Sequence, residues 1–293
     1  MNLKRAWTST GTVMIFALAI AGCQREEPAP KPVKATVPHR IVSVSPSTTE
    51  ILFAFGLGDR LVGVSTADDY PPQAKNIQKV GDFGAPNMEL LIELKPDWVV
   101  STVFLKPGLA EELENRRIRV FLTNQNSFEG LFGDIAKLGE IVGAPENARA
   151  LVADMRRRME AVGEKVAGIP ADKRPKVFIE IQPDPIYTAG KGSFFDELVT
   201  RAGGINVAAS LDQQFAQVSG EFVVKQNPDV ILVCYPTRDK NAAAEISKRI
   251  GWSQVKAVKE RRIIADIDPD VLCRPGPRLI EGLEQLHAEL YPS

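Results

Sequence analysis

The chain has 293 residues, of which 25% are charged and 44% are hydrophobic, and its formal charge at pH 7 is −1. This composition is typical of a globular protein, and the near-neutral charge provides no basic field for nucleic acid. The two histidines, His39 and His287, lie at opposite ends of the sequence, which argues against a zinc or manganese site and against histidine-dependent hydrolysis. We therefore expect no metal site, no cofactor and no catalysis.

The N-terminus has the features of an export signal. Lys4 and Arg5 precede an apolar run from Val13 to Ile20 that is too short to span a membrane. Small residues then lead into Cys23, and this segment resembles a bacterial lipobox, whose cysteine is acylated after cleavage. An ordinary secretory signal with an incidental cysteine is the alternative.

The residues after Cys23 are predicted to form a tether. Gln24 to Pro38 is polar, rich in proline and nearly free of large apolar side chains, so it cannot bury enough surface to fold. Loss of the signal also removes its two basic residues, which brings the formal charge to about −3. We expect the folded body to be held at a membrane through a lipid on Cys23.

Short apolar runs alternate with amphipathic segments in the first half of the body, which predicts an α/β lobe. The predicted strands are Arg40 to Ser45, Leu61 to Ser65, Trp98 to Val103 and Arg119 to Thr123. Ser47 and Glu50 form the S-x-x-E pattern of a capping box, which predicts a helix start right after the first strand. The turn at Ser45 to Thr48 then lies at the carboxyl end of a strand, where ligands gather in such folds.

One long helix is predicted in the middle of the chain. Between Pro145 and Val166, apolar side chains recur every three or four residues, at Leu151, Met155, Met159, Val162 and Val166. About 22 residues at 1.5 Å each give roughly 33 Å, enough to run from one lobe to another. A second α/β lobe is indicated by strands predicted at Lys176 to Ile181, Val230 to Cys234 and Arg262 to Asp266.

The expected fold is therefore α/β, with two Rossmann-like lobes joined by one long rigid helix and a ligand cleft between the lobes. The segments are a signal peptide (1–22), a lipid-anchored linker (23–38), an N-terminal lobe (39–144), the connecting helix (145–168) and a C-terminal lobe (175–293). We expect a monomer.

A thirteen-residue unit recurs in the two lobes. Met88 to Val100 matches Gly220 to Leu232, and Glu89 and Glu221 fall at identical offsets from a shared Pro-Asp. Each unit is predicted to be a short helix, a proline that ends it and a buried strand. Duplicated lobes explain the match. The alternative is a common helix-to-strand turn, in which the two glutamates only complement helix dipoles.

Five motifs spread over the body carry a family resemblance. They are Ile41 to Glu50, Asp69-Tyr70-Pro71-Pro72, Asn87-Met88-Glu89, Val218 to Glu221 and Asp270 to Arg278. Together they resemble the cobalamin-binding and siderophore-binding receptors of ABC importers, from about Arg40 to Leu290. The resemblance implies a bilobed protein with a rigid helical connector, and it implies that Glu89 and Glu221 dock on arginines of a permease dimer.

The resemblance also implies a ligand site that contains Tyr70 and the late loop with Asp270 and Arg274. Pro269, Pro275 and Pro277 are expected to exclude regular helix from that loop, which leaves Asp270 and Arg274 free to point into a cleft. A surface ion pair is the alternative for these two residues.

Aromatic side chains are expected to cover the flat face of a corrinoid. Tyr70, Phe83, Tyr187 and Phe215 follow apolar runs in predicted loops and are the candidates, with burial in a lobe core as the alternative. Phe83 and Phe215 stand where cobalamin binders carry tryptophan, and a third such position falls within 102–104.

Two further features of the sequence allow more than one interpretation. Cys234 and Cys273 belong to a compartment where disulfides persist, and they either pair or remain free thiols, because sequence gives no distance between them. The Gly190 to Ser193 segment lacks the residue order of a phosphate loop, and Ser193 is better explained as a helix cap.

The sequence is consistent with three candidate functions. The first is capture of a corrinoid and delivery to the permease of an importer. The second is the same role with a ferric siderophore or haem, since Arg274 and a tyrosine suit an anionic iron chelate. The third is a lipid-anchored extracytoplasmic enzyme or adhesion module.

Overall fold

The structure, a computed structural model, describes residues 37–124, 126–236 and 241–292. The predicted signal, Cys23 and most of the tether lie outside the described residues. Within them the strands are β1 (Ile41–Ser43), β2 (Leu61–Val64), β3 (Gly81–Asp82), β4 (Ala85–Pro86), β5 (Trp98–Thr102), β6 (Arg119–Thr123), β7 (Lys176–Pro183), β8 (Ile186–Ala189), β9 (Ile205–Asn206), β10 (Phe215–Gln217), β11 (Val230–Val233) and β12 (Ile263–Ile264).

The helices of the same residues are α1 (Pro46–Ala54), α2 (Met88–Glu93), α3 (Leu109–Asn115), α4 (Phe128–Val142), α5 (Pro145–Ala167), α6 (Phe194–Arg201), α7 (Gly220–Gln226), α8 (Ala242–Ser247), α9 (Lys256–Lys259), α10 (Pro269–Cys273) and α11 (Leu279–Leu290). Ser193 caps α6 as predicted, because its side chain accepts from the Asp196 N–H. No helix in the described part of the chain is both long and apolar enough to cross a bilayer.

Two sheets define two lobes, which confirms the predicted bilobed α/β fold. The first sheet has the order β2-β1-β5-β6 and is parallel throughout. The second has the order β10-β8-β7-β11-β12, with β9 beside β7. In this sheet β7, β9, β11 and β12 are parallel, whereas β8 pairs antiparallel with both β7 and β10. All seven strands that the sequence predicted are present, with ends that differ by at most two residues.

The recurring thirteen-residue unit folds in the same way in both lobes. Lys95 and Asn227, which occupy matching positions, both adopt left-handed backbone with φ of 47° and 46°. Two residues later, Asp97 accepts from the N–H of Arg40 and Asp229 accepts from the N–H of Lys176, so each carboxylate ties its unit to the start of the lobe's first strand. The strands that follow pair with β1 and β7 respectively. The shared geometry favours duplicated lobes over a coincidental turn.

The start of the first helix differs from the prediction. The helix begins at Pro46 with Ser45 as its N-cap residue, so Ser47 lies inside the first turn and the predicted capping box is wrong. A proline suits this place because its fixed φ is already helical and its missing N–H needs no partner. Glu50 is thereby free for another role, and it forms an ion pair with Arg278 of the other lobe.

The predicted long helix is present as α5, and its buried side chains include Met155, Met159, Val162 and Val166. One hydrophobic core runs from the first sheet through α4, α5 and α11 to the second sheet. The helix is therefore packed along its length within a shared interior.

Candidate functional site

A groove opens between the lobes at the carboxyl ends of the N-terminal strands. Its volume is about 300 Å³. Its walls are formed by residues that follow β1, β2, β5 and β6, by the β3–β4 hairpin and by the segment after α10: Ser45, Pro46, Ser47, Ala67, Phe83, Thr102, Val103, Phe104, Thr123, Asn126, Cys273, Arg274 and Pro275. The carboxyl edge of a parallel sheet is where open α/β folds bind ligands, so this groove is the candidate site.

The groove exposes apolar side chains to solvent. Phe104 is 70% exposed, Val103 is 49% exposed and Phe83 is 43% exposed. The rings of Phe83 and Phe104 have centroids 6.3 Å apart and are tilted by 56°. Apolar surface left uncovered in a concavity is stabilised when a guest removes it from water, so these side chains form a platform for a broad apolar face.

Hydroxyl and amide groups supply the neutral polar part of the lining. Ser45 and Ser47 stand at the N-terminus of α1 with their hydroxyl oxygens 3.0 Å apart. Thr102 accepts from the Phe104 N–H at 3.3 Å, which fixes the turn that presents the phenylalanine. These groups carry no charge, so they are able to form hydrogen bonds with uncharged groups at the rim of a ligand.

Arg274 is the one charged residue in the described lining, and two carboxylates hold it. Its Nη1 donates to Asp69 of the N-terminal lobe at 2.6 Å, and its Nη2 lies 2.9 Å from Asp270. Burial alone would raise the pKa of Asp69, but the hydrogen bond and charge of Arg274 outweigh it and hold that pKa below its usual range. Burial raises the pKa of Asp270, and the charge of Arg274 offsets only part of that rise.

The late loop is partly helical, contrary to the sequence expectation. Asp268 caps α10 by accepting from the Asp270 N–H, and Pro269 occupies the first helical position, where proline is tolerated. The helix ends at Cys273 because Pro275 disfavours helical geometry at Arg274, whose ψ is 100°. The short helix places Asp270 one turn before Arg274, which explains their pairing.

Tyr70 lies away from the groove. It lines a separate cavity of about 500 Å³ together with Glu50, Arg158 and Arg278. The guanidinium carbon of Arg278 is 3.8 Å from the Tyr70 ring centroid, and the same guanidinium donates to both carboxylate oxygens of Glu50 at 3.0 and 2.6 Å. Burial raises the pKa of Glu50, and Arg278 counteracts part of that rise. Tyr70 thus covers an ion pair that joins the lobes.

Tyr187 and Phe215 were expected in loops, but they lie in the antiparallel strands β8 and β10. Tyr187 is paired with Gln217 in the sheet, and the Phe215 ring is 6.4 Å from that of Phe195. Neither belongs to the groove lining drawn from the described residues. Phe215 remains 49% exposed on the C-terminal lobe.

Glu89 and Glu221 are both exposed in the first turn of a short helix. Asn87 caps the first helix by accepting from the N–H groups of Glu89 and Leu90, and Ser219 caps the second by accepting from Phe222 N–H. The two carboxylates occupy matching places on the two lobes and are free of ion pairs to described residues.

Cys234 and Cys273, the two cysteines of the described residues, lie close to each other, and both are free thiols. The Cys273 Sγ donates to the Cys234 carbonyl oxygen at 3.3 Å. A hydrogen bond with Cys273 and complete burial raise the pKa of the Cys234 thiol well above its usual value. Cys273 lines the groove, whereas Cys234 belongs to the core.

Sequence reasoning missed Thr123 and Asn126 in the groove and Asp69, Glu50 and Arg278 in the pairs beside it. Thr123 ends the predicted strand Arg119 to Thr123 and Asn126 follows it, so the rule that ligands gather at the carboxyl ends of parallel strands points to both. No sequence pattern pairs residues that are more than two hundred positions apart, as Asp69 and Arg274 or Glu50 and Arg278 are.

Residues 41–270 match a family described as periplasmic binding protein. An uncharacterised ABC transporter substrate-binding lipoprotein of Bacillus subtilis is 42% identical over 261 residues, which cover 87% of this chain and 81% of the relative. A vitamin B12-binding protein of Photorhabdus laumondii is 29% identical, covering 86% and 88%. The structure of the periplasmic haem-binding protein RhuT from Roseiflexus sp. RS-1 superposes with a TM-score of 0.78 at 27% identity, covering 86% and 98%.

Proposed function

Because the chain belongs to the periplasmic binding protein family, whose members are non-enzymatic substrate-binding components of transport, we propose that it captures a corrinoid for an ABC importer. In this role it is exported, held at the membrane by a lipid on Cys23, and delivers its ligand to the permease. The family match gives no support to the alternative of an anchored enzyme or adhesion module.

The observation that carries the corrinoid proposal is the combination of lining groups in the groove. Phe83, Val103 and Phe104 offer apolar surface, while hydroxyls and the Asn126 amide offer uncharged hydrogen-bonding groups. A corrinoid has a broad face and a rim of amides, which these two kinds of group complement. The vitamin B12-binding relative supports the same ligand class.

The size of the groove sets a condition on the proposal. About 300 Å³ is at the lower end of small-molecule pockets. A whole corrinoid exceeds it, so capture requires either movement of the rim loops or a ligand that stays partly in solvent. The high exposure of Phe104 places an apolar side chain at the rim for such a ligand.

An iron chelate such as haem or a ferric siderophore is the second candidate. Arg274 lies in the groove and is able to form a charge-assisted bond with a ligand carboxylate, once it is released from Asp69. The similarity to a haem-binding structure supports this ligand class. The difference between the candidates is the charge of the ligand rim.

Thermal unfolding with cobalamin, cobinamide, haemin and ferric siderophores tests the proposal. A ligand at a hundred times its dissociation constant adds about 2.7 kcal/mol, which raises the Tm of a body of this size by roughly 5–10 °C. We expect cobalamin or cobinamide to give this shift. Phe104→Ala and Arg274→Ala should reduce it, whereas Ile250→Ala, a fully exposed residue outside the groove, should not. No shift with either corrinoid would refute the corrinoid proposal.

Permease docking is tested separately from ligand capture. Two equivalent acidic side chains suit a two-fold symmetric partner with basic pockets. The double variant Glu89→Ala/Glu221→Ala is expected to keep ligand affinity and lose uptake. The matched control is Glu93→Ala/Glu245→Ala, which removes exposed glutamates from one helix of each lobe. Unchanged uptake in the first variant would remove the docking role.

A further inference from the structure

The arginines beside the groove are already neutralised by the chain's own carboxylates. Arg274 pairs with Asp69 and Asp270, and Arg278 pairs with Glu50. With all five groups ionised, this cluster carries a net charge of −1. No other described residue that lines the groove bears a positive charge.

Asp69 differs in position and exposure from Asp270, the other carboxylate that pairs with Arg274. It comes from the N-terminal lobe, whereas Asp270 lies in the short helix that ends directly before Arg274. The Asp69 side chain is 49% exposed and that of Arg274 is 18% exposed. Asp69 is therefore the partner that a guest meets when it approaches Arg274 from solvent.

A guest carboxylate that takes the place of Asp69 on Arg274 leaves the aspartate charge nearby. Two like charges roughly 6 Å apart repel strongly enough, at the effective dielectric of a protein surface, to weaken binding by about tenfold or more. A guest with an amide rim meets no such repulsion, because its groups bond the hydroxyls and the part of Arg274 that lines the groove while the ion pair stays closed. The charge of Asp69 thus disfavours ligands that carry carboxylates and leaves the binding of ligands with amide groups unchanged.

We propose that Asp69 is a specificity-determining residue, which makes the groove favour guests with an uncharged amide rim over guests that carry carboxylates. The inference rests on the proposed ligand-capture function and adds the reason for its selectivity. Asp69 acts by occupying Arg274, and its replacement is expected to change which ligand binds without loss of the site.

The test compares Asp69→Asn with wild type for cobalamin and for haemin, by fluorescence quenching titrations. We expect the variant to bind haemin about tenfold more tightly while its corrinoid affinity stays within about threefold. Asp82→Asn is the matched control, since Asp82 is exposed beside Phe83 and accepts from Thr66 but pairs with no described arginine. Asp69→Glu keeps the charge and should retain the wild-type ratio.

A second measurement does not depend on the natural ligand. Inorganic pyrophosphate at millimolar concentration should raise the Tm of Asp69→Asn but not that of wild type or Asp82→Asn, because only the first variant leaves Arg274 with one carboxylate. Equal responses in the two asparagine variants, or an unchanged haemin-to-corrinoid ratio, would overturn the inference. A pyrophosphate response in Asp69→Asn, with no corrinoid binding to any form, would refute the corrinoid function and leave the role of Asp69 standing.

Discussion

The ion pair between Glu50 and Arg278 is expected to govern the stability of the contact between the lobes. Their side chains are 3% and 12% exposed, and two hydrogen bonds join them. Removal of one partner leaves a charge with little access to water, which costs about 3–5 kcal/mol, whereas replacement of both by apolar side chains of similar size is near neutral. We therefore expect Glu50→Met and Arg278→Met each to destabilise by about 3 kcal/mol or more, and the double variant to lie within about 1 kcal/mol of wild type.

The cost of Arg278→Met should also depend on pH. The pKa of Glu50 is already raised in the folded protein by burial, and loss of the arginine raises it further. At a pH below this raised pKa the folded state binds a proton that the unfolded chain lacks, so the variant gains stability relative to wild type as the pH falls from 7 toward 5. Glu50→Met has no such carboxyl, so its own stability should lack this gain at low pH.

Urea unfolding followed by tryptophan fluorescence measures both effects. With a slope of about 3 kcal/mol per molar urea, a loss of 3 kcal/mol lowers the midpoint by about 1 M. The continuous core predicts one transition for both lobes. Single variants that cost less than about 1 kcal/mol, or a double variant whose cost is the sum of the two, would show that the pair does not act as a buried unit.

Two further predictions concern packing and thiol chemistry. Gly139→Ala should destabilise by about 1–3 kcal/mol, because the added Cβ would clash with the Ala148 Cβ where α4 meets α5. Gly133→Ala in the same helix meets nothing within 4 Å and should be neutral or stabilising. Chemical unfolding compares the two variants, and equal effects would contradict the packing argument. In the reduced protein Cys273 should react with iodoacetamide much faster than Cys234, whose thiol is buried and has a raised pKa, and bound ligand should protect Cys273. Peptide mass mapping follows the alkylation of both cysteines. Equal rates would refute the placement of Cys273 in the groove and of Cys234 in the core.

The parallel strands other than β9 were predictable because they are short apolar runs with polar flanks. Val230–Val233 is fully buried, and a short run of consecutive apolar residues is typical of a parallel strand covered on both faces. The antiparallel pair β8 and β10 was missed because Ile186–Ala189 and Phe215–Gln217 are short and mix apolar with polar side chains. Their sheet position comes from pairing with β7 and with each other, which is a tertiary contact that no local pattern records.

The two errors at helix starts have one physical cause. The capping-box prediction at Ser47 disregarded Pro46, and Pro269 was expected to exclude helix, but each proline occupies the first turn of a helix, where proline is favoured. For the groove, the position of the first strand pointed to Ser45 and Ser47 and the resemblance pointed to Phe83 and Arg274, and all four line it. Tyr70 lines the neighbouring cavity, because its position follows from its contact with Arg278, which depends on how the lobes meet. The role of each of these residues in ligand binding stays a prediction.

The two ion pairs that join the lobes within the described residues differ in burial, and this difference decides which of them a ligand is able to open. Asp69 is half exposed, so its bond to Arg274 resembles a surface pair worth about 0–1 kcal/mol. Glu50 is almost fully buried, and separation of its pair with Arg278 carries the cost of an isolated buried charge. A guest that engages Arg274 therefore exchanges the weaker bond and leaves the stronger one in place. Together with the core that runs through α5, the Glu50–Arg278 pair therefore joins the lobes whether or not Arg274 exchanges its partner.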